Sequence, residues 1–425
     1  MSIRLRHVAA VNPPTHEFDV LPDTAELPFL PLEAVWPGDR LDTTRRQPKS
    51  AVSSGYTRFR EGDILLPKIT PTFQADRTVI VKGLEGGVGA GTTELHVVRA
   101  GPDADVRYLR YLLSSKKFLD EGEASMLGVA GQKRVPDDCL RDLRVPVVDL
   151  RHQRAIADYL DRETARIDAL IEKKGCLVER LGERRQSLIT GAVTGELGVS
   201  EMAACRQDQS PRSGDPRAIT GGDRVKTIPL KRIVGINLYT LPETTEPGFE
   251  FRYVDIGAVG RGQLVSEPEV TVFGAAPSRA RRLVRSGDTI ISTVRTYLRA
   301  VWPVRDSATD LVVSTGFAVL TPTGSIDSRY LGWLAQSDVV IEEVVARSVG
   351  VSYPAINPSD IGTIRVPLPP LPYQLAIADY LDRETARIDA LIKMINQQTS
   401  LLAERRQALI TAAATGELQI PGVAA

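Results

Sequence analysis

One 19-residue phrase occurs twice in this chain and restricts what it can fold into. Gln153–Ile171 reads QRAIADYLDRETARIDALI and Gln374–Ile392 reads QLAIADYLDRETARIDALI, so only Arg154 and Leu375 differ. The offset of 221 residues holds without a gap through Glu183-Arg184-Arg185-Gln186 and Glu404-Arg405-Arg406-Gln407. It continues to Thr194-Gly195-Glu196-Leu197 and Thr415-Gly416-Glu417-Leu418. A repeat of this period makes the chain a duplication. The segments before it match faintly: Leu5–Asn12 with Leu230–Asn237, Arg60–Lys68 with Arg285–Thr293, and Arg144-Val145-Pro146 with Arg365-Val366-Pro367. Two divergent heads on two near-identical helices imply one shared scaffold carrying two different readers.

The repeated block reads as helix, because Arg151–Leu197 lacks proline and is rich in Ala, Leu, Glu, Arg and Gln. Ile156, Leu160, Ile167, Leu170, Leu177, Leu181 and Leu188 trace a seam of coiled-coil type. Ile377, Leu381, Ile388, Leu391, Ile395, Leu402 and Leu409 do so in the second copy. Glu163, Lys174 and Arg184 interrupt the first seam. A pair of core helices in a bundle fits the same stripe. The heads carry short β-branched runs (Ile64–Pro67, Thr78–Lys82, Glu94–Val98, Thr289–Thr293, Gly316–Leu320) separated by Gly, Pro and Asp. Val106–Gly122 and Ser328–Val345 have helical periodicity. The fold class expected is therefore α+β: two strand-rich heads joined by two long helices packed as an antiparallel coiled coil, with a pseudo-two-fold repeat. The expected order is head 1 over residues 1–150, helix 1 over 151–197, a Gly/Pro/Ser-rich linker over 198–226, head 2 over 227–368, helix 2 over 369–418 and a tail over 419–425.

Composition excludes several classes. The 53 basic and 53 acidic residues cancel, against a uniformly DNA-coating protein but not against a local basic face. Three scattered cysteines argue against a disulfide framework, and four dispersed histidines form no metal motif. The N-terminus lacks the apolar run of a signal peptide, and no stretch reaches the ~20 apolar residues of a membrane span, so a cytoplasmic setting is expected. Asn12-Pro13-Pro14 resembles the Asn-Pro-Pro-aromatic loop of adenine methyltransferases, yet Thr15 cannot stack on a base and Asn237 is not followed by proline. Gly87–Thr93 lacks the Lys-Ser/Thr of a phosphate loop and reads as a turn. No catalytic set recurs in both heads, so no catalytic residue and no metal site are assigned.

Basic residues do cluster locally. Nine basic residues face four acidic ones between Arg40 and Lys82, and seven arginines lie between Arg279 and Arg305. Such clusters suit phosphates and guanine edges, although an ordinary solvated surface looks alike. Two positions stand out, since loops vary while a scaffold stays fixed. After the Gly-Asp strand, head 1 has Lys68, Thr70, Gln74 and Arg77, where head 2 has Arg295, Tyr297 and Arg299. Before the terminal Val-Pro, head 1 has Gln132, Lys133 and Arg134, where head 2 has Ser352 and Tyr353. These are the candidate DNA-contacting residues.

On the head–helix–head–helix order, the twice-used Gln-x-x-Ile-Ala-x-Tyr-Leu-Asp-x-Glu-Thr-x-x-Ile-Asp-x-Leu-Ile motif and the Glu-Arg-Arg-Gln…Thr-Gly-Glu-Leu tail, the chain resembles the specificity subunits of type I restriction-modification systems. The resemblance implies that each head binds one half of a gapped double-stranded DNA target, with the helices as a ruler. It implies two methyltransferase subunits and two restriction subunits as partners. S-adenosylmethionine, ATP and Mg would belong to those partners and no cofactor to this chain. A helix over Gln153–Thr190 would be roughly 57 Å long at about 1.5 Å per residue, capping the head separation near ~17 bp at about 3.4 Å per base pair. Ala157, Arg162, Arg166, Arg184 and Arg185, with Ala378, Arg383, Arg387, Arg405 and Arg406, are the partner-docking candidates. The competing reading is a coiled-coil protein scaffold that binds no DNA.

Overall fold

A computed structural model describes residues 2–128, 133–197, 226–305 and 310–420. Most of the expected linker, the end of the tail and the candidate Gln132 lie outside them. The two heads share one strand plan. In head 1 one sheet runs, in spatial order, Ala9–Val11, Leu95–Ala100, Ile64–Pro67 and Val79–Ile80. The second runs Arg46–Pro48, Glu26–Leu30, Val88–Gly91 and Thr57–Arg60. Head 2 repeats the first plan with Val234–Ile236, Phe317–Pro322, Thr289–Ser292 and Val301–Pro303. It repeats the second with Glu269–Val272, Glu250–Val254, Leu311–Ser314 and Ala280–Leu283. The Arg-Val-Pro motif closes each head by pairing antiparallel with its first strand, Ser2–Arg4 or Thr227–Pro229.

Other repeated residues prove to be structural. Asn12 and Asn237 sit in the left-handed region (φ 50° and 55°), which Asn tolerates better than most residues. Each Asn accepts a backbone N–H on its Oδ1, from Val97 (2.8 Å) or Val319 (2.9 Å), clasping the end of a strand. The Asn-Pro-Pro segment is thus a strand terminator. The glycine-rich segment read as a turn instead contains the strand Val88–Gly91 in the middle of its sheet. A Cβ on Gly89 would lie 2.5 Å from the Phe59 ring, so glycine is there for close approach.

Each head also carries a broken helix where the apolar period predicted one. In head 1 it divides into α1 (Val106–Leu113) and α2 (Lys116–Ala124). The two long helices are α3 (Leu150–Thr194) and α6 (Leu371–Thr415), 45 residues each. Between them, head 2 has α4 (Ser328–Gln336) and α5 (Asp338–Ala346). The breaks fall where Ser115 and Ser337 turn their hydroxyls back onto the Leu112 and Leu334 carbonyls, both at 2.6 Å. Serine competing with the backbone in this way favours helix starts over interiors.

The chain forms two compact units that cut across the head–helix order. One holds residues 1–175 and 396–425, the other 176–395. Each unit thus contains one head, the first part of the helix that follows it and the last part of the other long helix. The core of the first unit joins Tyr108, Leu112 and Val145 to Ile156 and Leu160 of α3 and to Ile410 and Ala414 of α6. The core of the second joins Tyr330, Leu334 and Val366 to Ile377 and Leu381 of α6 and to Ile189 and Val193 of α3.

Within each unit the long helices run antiparallel. In the first, Arg406 pairs with Asp168 (2.8 Å) and Lys174 donates to Gln398 (2.5 Å). In the second, Arg185 pairs with Asp389 (3.0 Å). The seam differs from the expected stripe. On α3 the inward positions are Leu160, Thr164, Ile167, Ile171, Lys174, Val178, Leu181 and Arg185, and on α6 they include Leu381, Thr385, Ile388, Ile392 and Ile395. Leu170, Leu177 and Leu391, assigned to the seam by apolarity, are each 47% exposed. The spacing of alternate fours and threes is the heptad rule, with polar residues at several inward sites.

Candidate nucleic-acid interface

The heads are fastened to the long helices by a matched set of buried polar contacts. Asp105 and Asp327 cap α1 and α4, accepting from the N–H groups of Arg107 and Tyr108 and of Arg329 and Tyr330. The N–H of Asp105 donates to Gln153 Oε1, and that of Asp327 to Gln374 Oε1, both at 2.8 Å. The Gln153 amide then donates to Asp103 and Val148 carbonyls, and that of Gln374 to Ser325 and Pro369 carbonyls. Arg107 reaches Asp158 and Asp161, and Arg329 reaches Asp379 and Asp382.

The distal motif makes the second fastening, in each unit from the other repeat's helix. Gln407 donates to the Ser114 carbonyl (2.6 Å), and Thr411 Oγ1 accepts from the Lys116 N–H (2.9 Å). In the other unit Gln186 donates to the Gln336 carbonyl (3.1 Å), and Thr190 Oγ1 accepts from the Asp338 N–H (3.1 Å). Much of the repeated phrase therefore faces inward, onto the heads.

That fact corrects part of the docking set. Ala157 and Ala378 are wholly buried in the two cores. Arg185 and Arg406 turn toward their carboxylate partners across the seam, and Arg185 also lies 5.7 Å from the Trp333 ring. Arg162, Arg166, Arg184, Arg383, Arg387 and Arg405 are exposed.

In each head the two singled-out loops meet. In head 1 Ile69 pairs with Arg134, Val135 N–H donates to the Lys68 carbonyl, and Thr70 accepts from the Lys133 N–H. Leu127 and Arg134 exchange backbone hydrogen bonds. In head 2 Val294 pairs with Ala355, Ile356 N–H donates to the Thr293 carbonyl, and Val349 and Ala355 exchange the same two bonds. Thr296 Oγ1 donates to Ser348 Oγ (2.7 Å), and the Arg295 guanidinium lies 5.1 Å from the Tyr353 ring.

The candidate side chains are not equally available. Lys133 is exposed, Lys68 and Thr70 are half-buried, and Gln74 donates to Glu123 at 2.7 Å. Arg134 holds Glu94 through two nitrogens, keeping that carboxyl below its ordinary pKa. Arg77 lies over the Trp36 ring at 5.6 Å and donates to the Val35 carbonyl. In head 2 Tyr297, Ser352 and Tyr353 are exposed, whereas Arg299 is tied to Glu342 (2.7 Å). In head 1, His96 is fully buried, with Nε2 2.9 Å from the Val135 carbonyl and Nδ1 3.3 Å from Asp137. Burial first, then the charge of Lys68, pushes its pKa down to about 4, so it is neutral at pH 7. Sequence reasoning passed over it because head 2 has no counterpart. Among the described residues no group of three or more His, Cys, Asp or Glu is placed to hold a metal, and no helix is long and apolar enough to cross a membrane.

Two like heads with unlike joined loops, each fastened to paired helices, make the chain a two-headed scaffold. Over 148 residues the chain is 40% identical to the specificity subunit of the type I restriction enzyme EcoEI of Escherichia coli, covering 34% of this chain and 24% of that protein. Over 205 residues it is 33% identical to the EcoAI specificity subunit, covering 47% and 33%. These matches span no more than a third of the relatives' own length. No protein-family model matches the chain. In structure it resembles a chain of a type I restriction-modification assembly, with a TM-score of 0.73, 17% identity and 98% of each chain covered. It also resembles the HsdS subunit of Thermoanaerobacter tengcongensis, with a TM-score of 0.51, 18% identity and coverage of 98% and 97%. The chain has the fold of a type I specificity subunit and is related to such subunits in sequence.

Proposed function

We propose that this chain recognises a bipartite, gapped double-stranded DNA sequence, one half per head, and directs methyltransferase and restriction subunits to it. The observation that carries this reading is the joined loop pair. Both heads bring the same two loops together on the same strand plan, and the loops then differ in nearly every side chain. Loops on a fixed scaffold are where specificity resides. Lys68 and Lys133 in head 1 and Arg295 in head 2 supply the positive charge that phosphates and guanine edges require. The long helices set the gap between the half-sites. Their outer faces, with Leu170, Leu177 and Leu391 beside Arg162, Arg166, Arg383 and Arg387, offer docking ground for two methyltransferase subunits. The chemistry that uses S-adenosylmethionine, ATP and Mg resides in the partner subunits, and this chain catalyses nothing.

The test is a methylome. The chain is expressed with its cognate methyltransferase in a methylation-free host, and modified adenines are mapped by single-molecule sequencing. A gapped two-part motif, changed in one half when one head is exchanged, is the expected result. Methylation at the same sites without this chain would overturn the proposal.

A further inference from the structure

The described side chains at the two loop junctions differ. Head 1's junction presents Lys133 and Leu127, with Arg134 bound to Glu94. Head 2's presents apolar surface: Val349 is 81% exposed, Val351 102%, Tyr353 67%, Tyr297 54% and Leu298 51%. Five large apolar side chains at one loop junction mark an interaction surface, since scattered single residues are what an ordinary surface shows. The junction is built to hold them outward. The Val349–Ala355 bonds pin the base of the finger. Arg295 and Arg299, which bracket the turn carrying Tyr297 and Leu298, both take left-handed backbone angles (φ 50° and 54°). A long side chain rarely adopts these angles, and such strain collects at functional loops.

Charge selects the occupant. Residues 294–299 and 347–356 contain Arg295, Arg299 and Arg347 and no carboxylate. Glu342 and Glu343 of α5 are paired with Arg299 and Arg347, which leaves Arg295, 5.1 Å from the Tyr353 ring, as the cation beside the tip. An apolar tip with an arginine beside it suits a polyanion that also offers apolar groups, and a two-stranded ribbon fits the ~12 Å major groove. The apolar group displayed there is the thymine C5-methyl.

We infer that head 2 reads its half-site by apolar contact between the finger tip, Val351 and Tyr353 foremost, and thymine methyl groups in the major groove. This inference rests on the proposed DNA-reading role and names the chemical group that head 2 recognises.

The experiment uses the full complex of the chain with its methyltransferase subunits and duplexes carrying the mapped motif. Each thymine of the head 2 half-site is replaced in turn by deoxyuridine, which removes only the methyl. One buried methyl is worth about a fourfold change in affinity. At least one replacement should therefore weaken binding about fourfold in the wild type and change nothing in Val351→Ser or Tyr353→Ser, which alter exposed positions and leave the fold intact. Three results would overturn the inference while leaving DNA reading in place. One is indifference to every replacement when base-pair changes in that half still abolish binding. Another is a methyl effect that persists undiminished in both variants. The third is a half-site without A·T pairs. Indifference to base-pair changes themselves would instead refute the reading on which the inference rests.

Discussion

Replacing Gln374 by alanine should cost the second unit about 3 kcal/mol. The side chain is fully buried and makes three hydrogen bonds, one accepted from the Asp327 N–H and two donated to the Ser325 and Pro369 carbonyls. Truncation leaves the Asp327 N–H without that acceptor, and a buried unsatisfied group costs about 1–3 kcal/mol. The two carbonyls add less, because each keeps a second lone pair. With a urea slope of about 1–3 kcal/mol per molar, the midpoint should fall by roughly 1–3 M. Two of the three tryptophans, Trp302 and Trp333, lie in this unit, so their fluorescence follows its unfolding. Gln374→Glu keeps the shape and one acceptor but sets an oxygen against two carbonyls, and should be as damaging. Lys393→Ala, on the exposed face of the same helix, supplies the baseline of about 0.5 kcal/mol. If Gln374→Ala matched Lys393→Ala, the glutamine would not be holding the head, and the fastening argument would fall for Gln153 as well.

Other outcomes follow from the same geometry. Asn237→Ala should destabilise head 2 by about 2 kcal/mol in thermal melts, and Asn237→Gly by about 1 kcal/mol less, because glycine accepts the left-handed angle but not the Val319 bond. His96 has a folded pKa of about 4 against 6.5 when free, so between those values the unfolded chain binds a proton that the folded head refuses. Stability of the first unit should then fall as pH drops from 6.5 toward 4, by up to about 1.4 kcal/mol per unit, and be flat above 6.5. The difference between wild-type and His96→Gln urea curves isolates this effect from Asp76, whose carboxyl burial pushes up. Equal curves would refute it. In DNA binding, Arg295→Ala should weaken the head 2 half-site more than Arg299→Ala, since Glu342 already holds Arg299. The reverse order would contradict the loop geometry.

The duplication, the strand runs and the paired loops were legible because each is local or repeated. The broken helices were not, because Tyr108, Tyr111, Phe118 and Gly122 keep a helical period across the break that Ser115 makes. Seam register was misread because apolarity favoured Leu170 and Leu177, whereas the inward row includes Thr164, Lys174 and Arg185. Thr164 fits there by donating to the Leu160 carbonyl (2.7 Å), and Arg185 by reaching Asp389. The buried places of Ala157 and Ala378 were missed for a related reason, since a repeated surface and a repeated socket look alike in sequence. Nor does any local pattern tell which head the end of a long helix will grip.

That grip gives the scaffold the character of a standard plug and socket. A head needs to present few matching pins: a capping aspartate followed two residues later by arginine, as in Asp105 and Arg107 or Asp327 and Arg329, and the backbone carbonyl and amide on either side of the serine break. Because two of those pins are main-chain groups, almost any side chains can stand around them. Heads of unrelated sequence can therefore be exchanged into the same two sockets, provided the pins are kept. The plug-in part can then change while the chassis stays as it was.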